Sequence, residues 1–221
     1  LYKRSRGLPT CTIFSSHDTL MPAMKAYSRH RSKDIRGLND KAIVRQFVER
    51  ENIRSLQQLS ENDRAAVIGH MKLDFALAAL MSSDIMFAAG SEKCLFERID
   101  VLRSGPAEFS RGIASDLPEF MQKILQIKAS EPAFNVEGTV IPFGYWQPDQ
   151  TGIRGYVKST SAGQHVLVAA NSAERPLACR VPKRMQQKTS SRVHVAGGYL
   201  EHGQLPENIE LAAGQLAIIT A

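Results

Sequence analysis

The most informative segment of this 221-residue sequence reads Thr12-Ile13-Phe14-Ser15-Ser16-His17-Asp18-Thr19. It begins as a short apolar strand, ends in a polar His-Asp pair, and leads into a segment with helical spacing. Proteins of the α/β class place reactive side chains where a buried strand ends, because the strand is rigid and the loop that follows it faces a cleft. The sequence leaves two roles open for His17 and Asp18: they can lie in a functional site, or they can cap the helical segment that follows them.

Two amphipathic helices are predicted further along the chain. Ser60 is placed to cap the first helix, with Asp63 three positions later, and the apolar face of that helix extends to Leu80. Asp116 is placed to cap the second helix, which is predicted to end before Glu131-Pro132.

A second short strand is predicted between these helices. The apolar run 84–90 stops at Gly90-Ser91-Glu92, and a run this short, bounded by glycine and polar residues, favours a fully buried parallel strand. Glu92 therefore follows a strand end, as His17 and Asp18 do. The sequence leaves two roles open for Glu92: it can line a cleft, or it can cap the turn in which it lies.

The sequence after residue 134 has no helical pattern. Short β-branched or alternating runs are separated by turn signals such as Ala162-Gly163, which is typical of a small antiparallel sandwich. We therefore predict one domain over residues 1–134 and an all-β domain over residues 135–221. The predicted strands of the second domain are 136–141, 155–158, 166–170, 177–181, 192–195 and 216–220.

This order of elements resembles the C-terminal half of an α-amylase-family glycoside hydrolase. In that family the seventh strand of a (β/α)8 barrel ends in a motif similar to His17-Asp18, and the turn after the eighth strand is similar to Gly90-Ser91-Glu92. The resemblance implies an α/β fold: the C-terminal part of a (β/α)8 TIM barrel followed by an antiparallel β-sandwich domain. Two later segments are also similar to motifs of the family, namely Pro132-Ala133-Phe134 and Asn171-Ser172.

The resemblance also implies an activity and a set of site residues. The family hydrolyses or transfers α-glucosidic linkages by a retaining mechanism, which needs two carboxyl groups about 5–5.5 Å apart. Asp18 and His17 would then bind hydroxyls of the glucosyl unit at the cleavage point, more tightly in the transition state than in the ground state. Glu92 would bind the substrate, an α-glucan or oligosaccharide. We predict no cofactor.

Two departures from the family pattern bear on this interpretation. Ser16 stands where Asn is more common before the His-Asp pair. The nucleophile and the acid/base glutamate of the family both lie upstream of that pair, where this sequence offers no match. We therefore expect an N-terminal catalytic half, on a longer chain or a companion chain, to supply both carboxylates.

Composition leaves other classes of function open. The net charge is +6, and many basic residues fall between positions 25 and 54, so a basic interaction domain for an anionic partner is one alternative. Acidic residues interleave with the basic ones there, which makes nucleic acid an unfavourable partner. A glucan-binding module or pseudo-enzyme that does not cleave its ligand is the other alternative.

The cysteines and the apolar runs set further expectations. Cys11, Cys94 and Cys179 are far apart and form no CxxC motif, which favours neither a zinc site nor a disulfide framework. We therefore predict no metal site. No signal segment follows Leu1, and no apolar run approaches the roughly 20 residues of a membrane span, so we expect a cytoplasmic protein without a membrane partner.

Overall fold

The structure is a computed structural model, and it describes residues 11–15, 20–31, 42–43, 45–97, 105–143, 152–188, 191–195, 198–202 and 204–221. The chain divides into two compact units. Unit 1 comprises Leu1–Thr12, Ala76–Asp84 and Ile124–Ala221, and unit 2 comprises Ile13–Phe75 and Ile85–Lys123. The predicted domain boundary at residue 134 stays a prediction.

Helices and strands alternate in the first part of the described chain, and strands dominate the second. A π-helical segment (Arg45–Arg50) and a 3-10 turn (Leu56–Gln58) follow the first helix. The α-helices are α1 (Pro22–Arg31), α2 (Glu61–Met81), α3 (Pro106–Phe109), α4 (Leu117–Ser130), α5 (Pro132–Asn135) and α6 (Lys183–Gln186). The strands are β1 (Cys11–Ile13), β2 (Asp84–Met86), β3 (Gly138–Pro142), β4 (Ile153–Thr160), β5 (His165–Asn171), β6 (Leu177–Arg180), β7 (Ser191–Val195), β8 (Gly198–His202), β9 (Asn208–Leu211) and β10 (Leu216–Thr220).

The predicted cap of the first long helix is confirmed. Ser60 Oγ accepts a hydrogen bond from the backbone N–H of Asp63 at 3.1 Å and donates to Oδ2 of the same residue at 2.7 Å. These bonds satisfy a backbone donor that the first turn of a helix otherwise leaves unpaired. Helix α2 then buries Val67, Met71 and Phe75 completely, at the helical spacing that the sequence predicts.

The second long helix also has its predicted limits. Helix α4 begins directly after Asp116 and ends at Ser130, before Glu131-Pro132. The backbone N–H of Leu117 is bound by Ser115 Oγ at 3.3 Å, so the described capping bond comes from Ser115 and not from the predicted Asp116, whose carboxylate binds Lys72. The Asp116 carboxylate accepts a hydrogen bond from Lys72 Nζ at 2.5 Å, which lowers the pKa of Asp116.

Strand β2 differs from its prediction. Strands β1 and β2 form a two-stranded sheet, but β2 is three residues long, and Met86 and Phe87 are 44% and 36% exposed. The predicted full burial is therefore wrong, because the described residues cover these side chains only in part. Ile13 of β1 is likewise 56% exposed.

The predicted antiparallel sheet is confirmed, but the region is not entirely β, because the short helix α6 lies within it. The six strands of the sheet lie in the order β3-β4-β5-β10-β7-β8, and every adjacent pair is antiparallel. β6 and β9 form a separate two-stranded ribbon, and the predicted sandwich arrangement stays a prediction. Sheet, ribbon and α6 contribute to one apolar core, which includes Val157, Leu167, Cys179, Met185, Leu211 and Ile219.

Asn171, which sequence analysis noted only for its resemblance to a family motif, has a structural role. The side chain is fully buried at the end of β5. Its Nδ2 donates to the carbonyls of Arg175 at 2.8 Å and Leu211 at 2.9 Å, and its Oδ1 accepts from the N–H of Ala173 at 2.9 Å. A side chain with both a donor and an acceptor group is needed to satisfy this set of backbone atoms.

Gly155 allows two backbones to approach closely within the sheet. Its φ of 154° is unfavourable for other residues. A Cβ built there would lie 2.8 Å from Cε2 of Phe143, and closer still to the carbonyl oxygen of Val168.

We expect Gly155→Ala to lower the free energy of unfolding by about 2–4 kcal/mol. The new methyl group would clash with the neighbouring backbone, and the φ at this position is unfavourable for alanine. Gly163→Ala is the matched control. Gly163 also has a positive φ, 78°, but nothing lies within 4 Å of its built Cβ, so we expect a cost of about 1 kcal/mol. Urea denaturation of both variants tests this. Equal costs would contradict it.

Two buried lysines of unit 1 bind backbone carbonyls near helix ends. Lys128 Nζ donates to the carbonyl of Ala79 at 2.8 Å and to that of Ser82, at the C-terminus of α2. Lys158 Nζ donates to the carbonyl of Phe134 in α5 at 3.2 Å. A cation is favourable where helix carbonyls lack intrahelical partners. Burial lowers the pKa of both lysines, and that of Lys158 falls to about 8.

This pKa predicts how stability changes with pH. Below pH 8 Lys158 is charged in both states, and its burial costs stability. Between about pH 8 and 10.5 the folded state loses the proton first, so the cost is relieved as pH rises. We expect wild type to gain on the order of 2 kcal/mol in free energy of unfolding relative to Lys158→Met between pH 7 and 10.

Urea denaturation of both proteins across this pH range measures the difference, in which the titration of groups that do not interact with Lys158 cancels. Parallel pH profiles would contradict the prediction.

All three cysteines are free. Cys94 and Cys179 are buried, and burial raises the pKa of both thiols, that of Cys179 to about 12. Cys11 is exposed.

Within the described residues no helix is long and apolar enough to cross a membrane.

Candidate functional site

The ends of β1 and β2 are joined by hydrogen bonds. Ser15, which follows β1, and Ser91, which follows β2, are both fully buried, and their Oγ atoms lie 2.7 Å apart. Ser15 Oγ also accepts a hydrogen bond from the backbone N–H of Ala88 at 2.8 Å. The N–H of Phe14 donates to the carbonyl of Met86 at 2.9 Å. The exits of the two strands are therefore held side by side.

Glu92 lies in the turn that follows β2 and binds that turn. Its Oε2 accepts a hydrogen bond from the backbone N–H of Gly90 at 2.9 Å. Gly90 has a φ of 90°, and Cys94 has a φ of 55°, so the turn uses the left-handed region twice. The turn-capping role that the sequence left open is thus observed. Substrate binding by Glu92 stays a prediction.

His17 and Asp18 lie outside the described residues. The structure describes Ser15, two residues before His17. A buried serine thus precedes each predicted site segment: Ser15 lies two residues before His17, and Ser91 lies directly before Glu92.

An aromatic cluster in unit 2 supports the two strand ends. Phe75 of α2 is fully buried. Its ring meets that of Phe14 edge-on, with centroids 5.3 Å apart and planes at 88°, and that of Phe87 with centroids 5.8 Å apart and planes at 82°. Edge-to-face pairs of this kind are favourable and directional. Phe14 and Phe87, which lie beside the two strand ends, therefore both pack against helix α2.

One polar pair was missed by sequence analysis. His30 Nε2 lies 2.8 Å from Asp63 Oδ1, although 33 residues separate them. Hydrogen bonds from Ser60 and His30 lower the pKa of Asp63. The local sequence carries no signal for this contact, because it depends on how α1 and α2 pack.

Part of the positive charge between residues 25 and 54 is paired with carboxylates. Arg29 forms an ion pair with Asp74, and Arg54 Nη1 lies 2.8 Å from Glu97 Oε1. Lys33, Arg36 and Lys41 lie outside the described residues. These ion pairs neutralise two of the described cations in this region, which reduces its attraction for an anionic partner.

The serine pair predicts unequal effects of two small substitutions. Ser15→Ala removes the acceptor of the Ala88 N–H and the partner of Ser91, so we expect a loss of about 1–3 kcal/mol in free energy of unfolding. Ser91→Ala is the matched control, because it removes one hydroxyl and leaves the bond from Ala88 to Ser15 intact. We expect it to cost less. Thermal or urea unfolding measures both, and a cost for Ser91→Ala equal to or above that for Ser15→Ala would contradict the prediction.

Comparison with known proteins finds solved structures with a similar fold, but no similar sequence. No family model matches the chain, and no curated protein matches its sequence. Among solved structures, an α-amylase from Anoxybacillus is similar over 95% of this chain and 37% of its own, with 12% identity and a TM-score of 0.55. A variant of AmyP in complex with maltotriose is similar over 96% of this chain and 41% of its own, with 12% identity and a TM-score of 0.56.

A third structure is the catalytic module of SpuA, a pneumococcal glycogen-degrading virulence factor. It is similar over 96% of this chain and 35% of its own, with 11% identity and a TM-score of 0.52. The chain thus spans about a third to two fifths of the length of these structures. The predicted resemblance to α-amylase-family enzymes is confirmed at the level of the fold.

Proposed function

We propose that this chain is part of an enzyme that hydrolyses or transfers α-glucosidic linkages by a retaining mechanism. The observation that carries the proposal is the similarity of its fold to α-amylase structures over 95–96% of its length. The SpuA module is described as glycogen-degrading, and AmyP was solved with maltotriose, which supports an α-glucan or maltooligosaccharide as the substrate.

Asp18 and His17 are proposed to bind the hydroxyls of the glucosyl unit at the cleavage point. Hydrogen bonds that strengthen as positive charge develops on the sugar lower the barrier rather than only the KM. Ser15 supports this assignment, because the residue two positions before His17 is fixed to the turn after β2. A rigid starting point for the segment is what a preorganised site requires.

Glu92 is proposed to contribute a further contact to substrate. Its Oε2 is bound to the N–H of Gly90. A carboxylate has several lone-pair sites, so this bond leaves acceptor capacity for a sugar hydroxyl. The same bond would hold the carboxylate in one orientation. Glu92 could therefore cap the turn and bind substrate at the same time.

The nucleophile and the acid/base residue are proposed to come from an N-terminal catalytic half, on the same or a companion polypeptide. Retaining hydrolysis needs that carboxyl pair in addition to Asp18. The apolar side chains of Ile13 and Met86, exposed on the short β1–β2 sheet, support the need for adjoining structure.

The decisive substitution is Asp18→Asn in the native protein with every associated polypeptide. We expect glucan turnover to fall about 100-fold or more, because a charged transition-state contact is lost. Asp116→Asn is the control, since Asp116 pairs with Lys72 on the surface of unit 2, and turnover should stay near wild type.

Release of reducing sugar from maltooligosaccharides measures turnover, and maltotriose affinity is measured in parallel. Unchanged turnover in Asp18→Asn would overturn the role of that residue. Maltotriose binding without any turnover in the native material would overturn the enzyme assignment in favour of a glucan-binding module.

A further inference from the structure

Unit 1 contains a cavity that the proposed glucan chemistry does not use. Its volume is about 840 Å³, which falls within the range of small-molecule sites. One wall is apolar and is formed by Ile141 of β3, Val157 of β4, and Val181-Pro182 after β6. Polar and charged residues form the rest of the described lining, namely Arg180, Lys183, Arg184, Gln186 and Glu207.

The charges that line this cavity are unbalanced. The described lining contains three cations, from Arg180, Lys183 and Arg184, and one carboxylate, from Glu207. Within the part of the chain that the structure describes, the side chains of Lys183 and Arg184 form neither an ion pair nor a hydrogen bond. Unpaired cations clustered beside an apolar wall raise the local concentration of anions.

The fold fixes the segment that carries these cations. The N–H of Val181 donates to the carbonyl of Glu207 at 2.8 Å, next to the pairing of β6 with β9. Met185 is fully buried in the core and anchors the single turn of α6. Gln186 Nε2 donates to the carbonyl of Val181 at 2.7 Å. Little conformational freedom of the backbone would therefore be lost when a ligand binds.

A neighbouring histidine shows that the positive charge acts beyond the cavity wall. Burial lowers the pKa of His165, and the positive charges of Arg184 and Lys188 lower it further. Their field therefore opposes an additional proton nearby. The same field favours an anion.

We propose that this cavity binds a small organic anion, with its carboxylate or phosphate group against Lys183 and Arg184 and its apolar part against Ile141, Val157 and Val181. Guanidinium groups suit the planar, multidentate contacts that such head groups offer. None of the described lining residues is aromatic, so a neutral sugar ring has no flat face on which to stack. The site is therefore distinct in chemistry from the proposed glucan site.

The test is calorimetric titration of the native protein with four probes: hexyl phosphate, hexanoate, hexanol and inorganic phosphate. Hexyl phosphate or hexanoate should bind at a single site, and whichever binds more tightly identifies the preferred head group. Hexanol lacks the anionic head group, and inorganic phosphate lacks the apolar chain. Each should therefore bind at least about tenfold more weakly.

Variants then locate the site. Arg184→Gln and Lys183→Gln should each weaken the tighter-binding anion about tenfold, because a charge-assisted contact is lost. Arg175→Gln is the matched control. It removes an exposed cation from the same unit outside the cavity lining, and affinity should change less than about twofold. Lys183, Arg184 and Arg175 are all exposed, so each variant should unfold thermally as wild type does.

Three results would overturn the proposal. The first is no saturable binding of either anion, and the second is equal affinity for hexanol and hexyl phosphate. The third is an equal loss of affinity in Arg175→Gln and Arg184→Gln, which would indicate attraction by net charge only. Maltooligosaccharide turnover should be unaffected by the cavity variants, so this proposal and the proposed function fail independently.

Discussion

The pairing of β5 with β10 is the contact on which the antiparallel sheet depends. It runs from Leu216 opposite Ala170 to Thr220 opposite Val166, and it joins β3-β4-β5 to β7-β8. The paired residues of both strands are buried, so the ladder is also the centre of the apolar core. Asn171 extends the link, since its N–H donates to the carbonyl of Gln215 at 2.9 Å. Without β10 the sheet would separate into two parts with exposed edges.

Buried lysines then connect elements within unit 1, one joining the sheet to a helix and one joining two helices. Lys158 reaches from β4 to the carbonyl of Phe134, and Lys128 reaches from α4 to the last carbonyls of α2. Each cation replaces water at carbonyls that helix geometry leaves unpaired. The serine pair has the comparable role in unit 2, where two hydroxyls hold two strand exits together without any charge. Polar groups thus determine how elements meet, while apolar burial provides most of the stability.

The sequence predicted the features that depend on nearby residues. The cap at Ser60, the limits of α4, and the runs that became β5 and β10 follow from local spacing. Strands β8 and β9 were missed, and the His30–Asp63 contact was missed because packing alone creates it. The burial of residues 84–90 was overestimated, because an apolar run does not show whether anything covers it. Glu92 was left with two roles, since a carboxylate after a strand suits both.

The distribution of the three thiols gives the chain a practical property. Cys94 and Cys179 are buried and hard to ionise, whereas Cys11 is exposed at the start of β1. Alkylating reagents attack the thiolate and need access to it. Within this chain, a maleimide dye or spin label would therefore attach at one position, seven residues before Asp18. The chain carries its own attachment point for spectroscopy, without engineered cysteines.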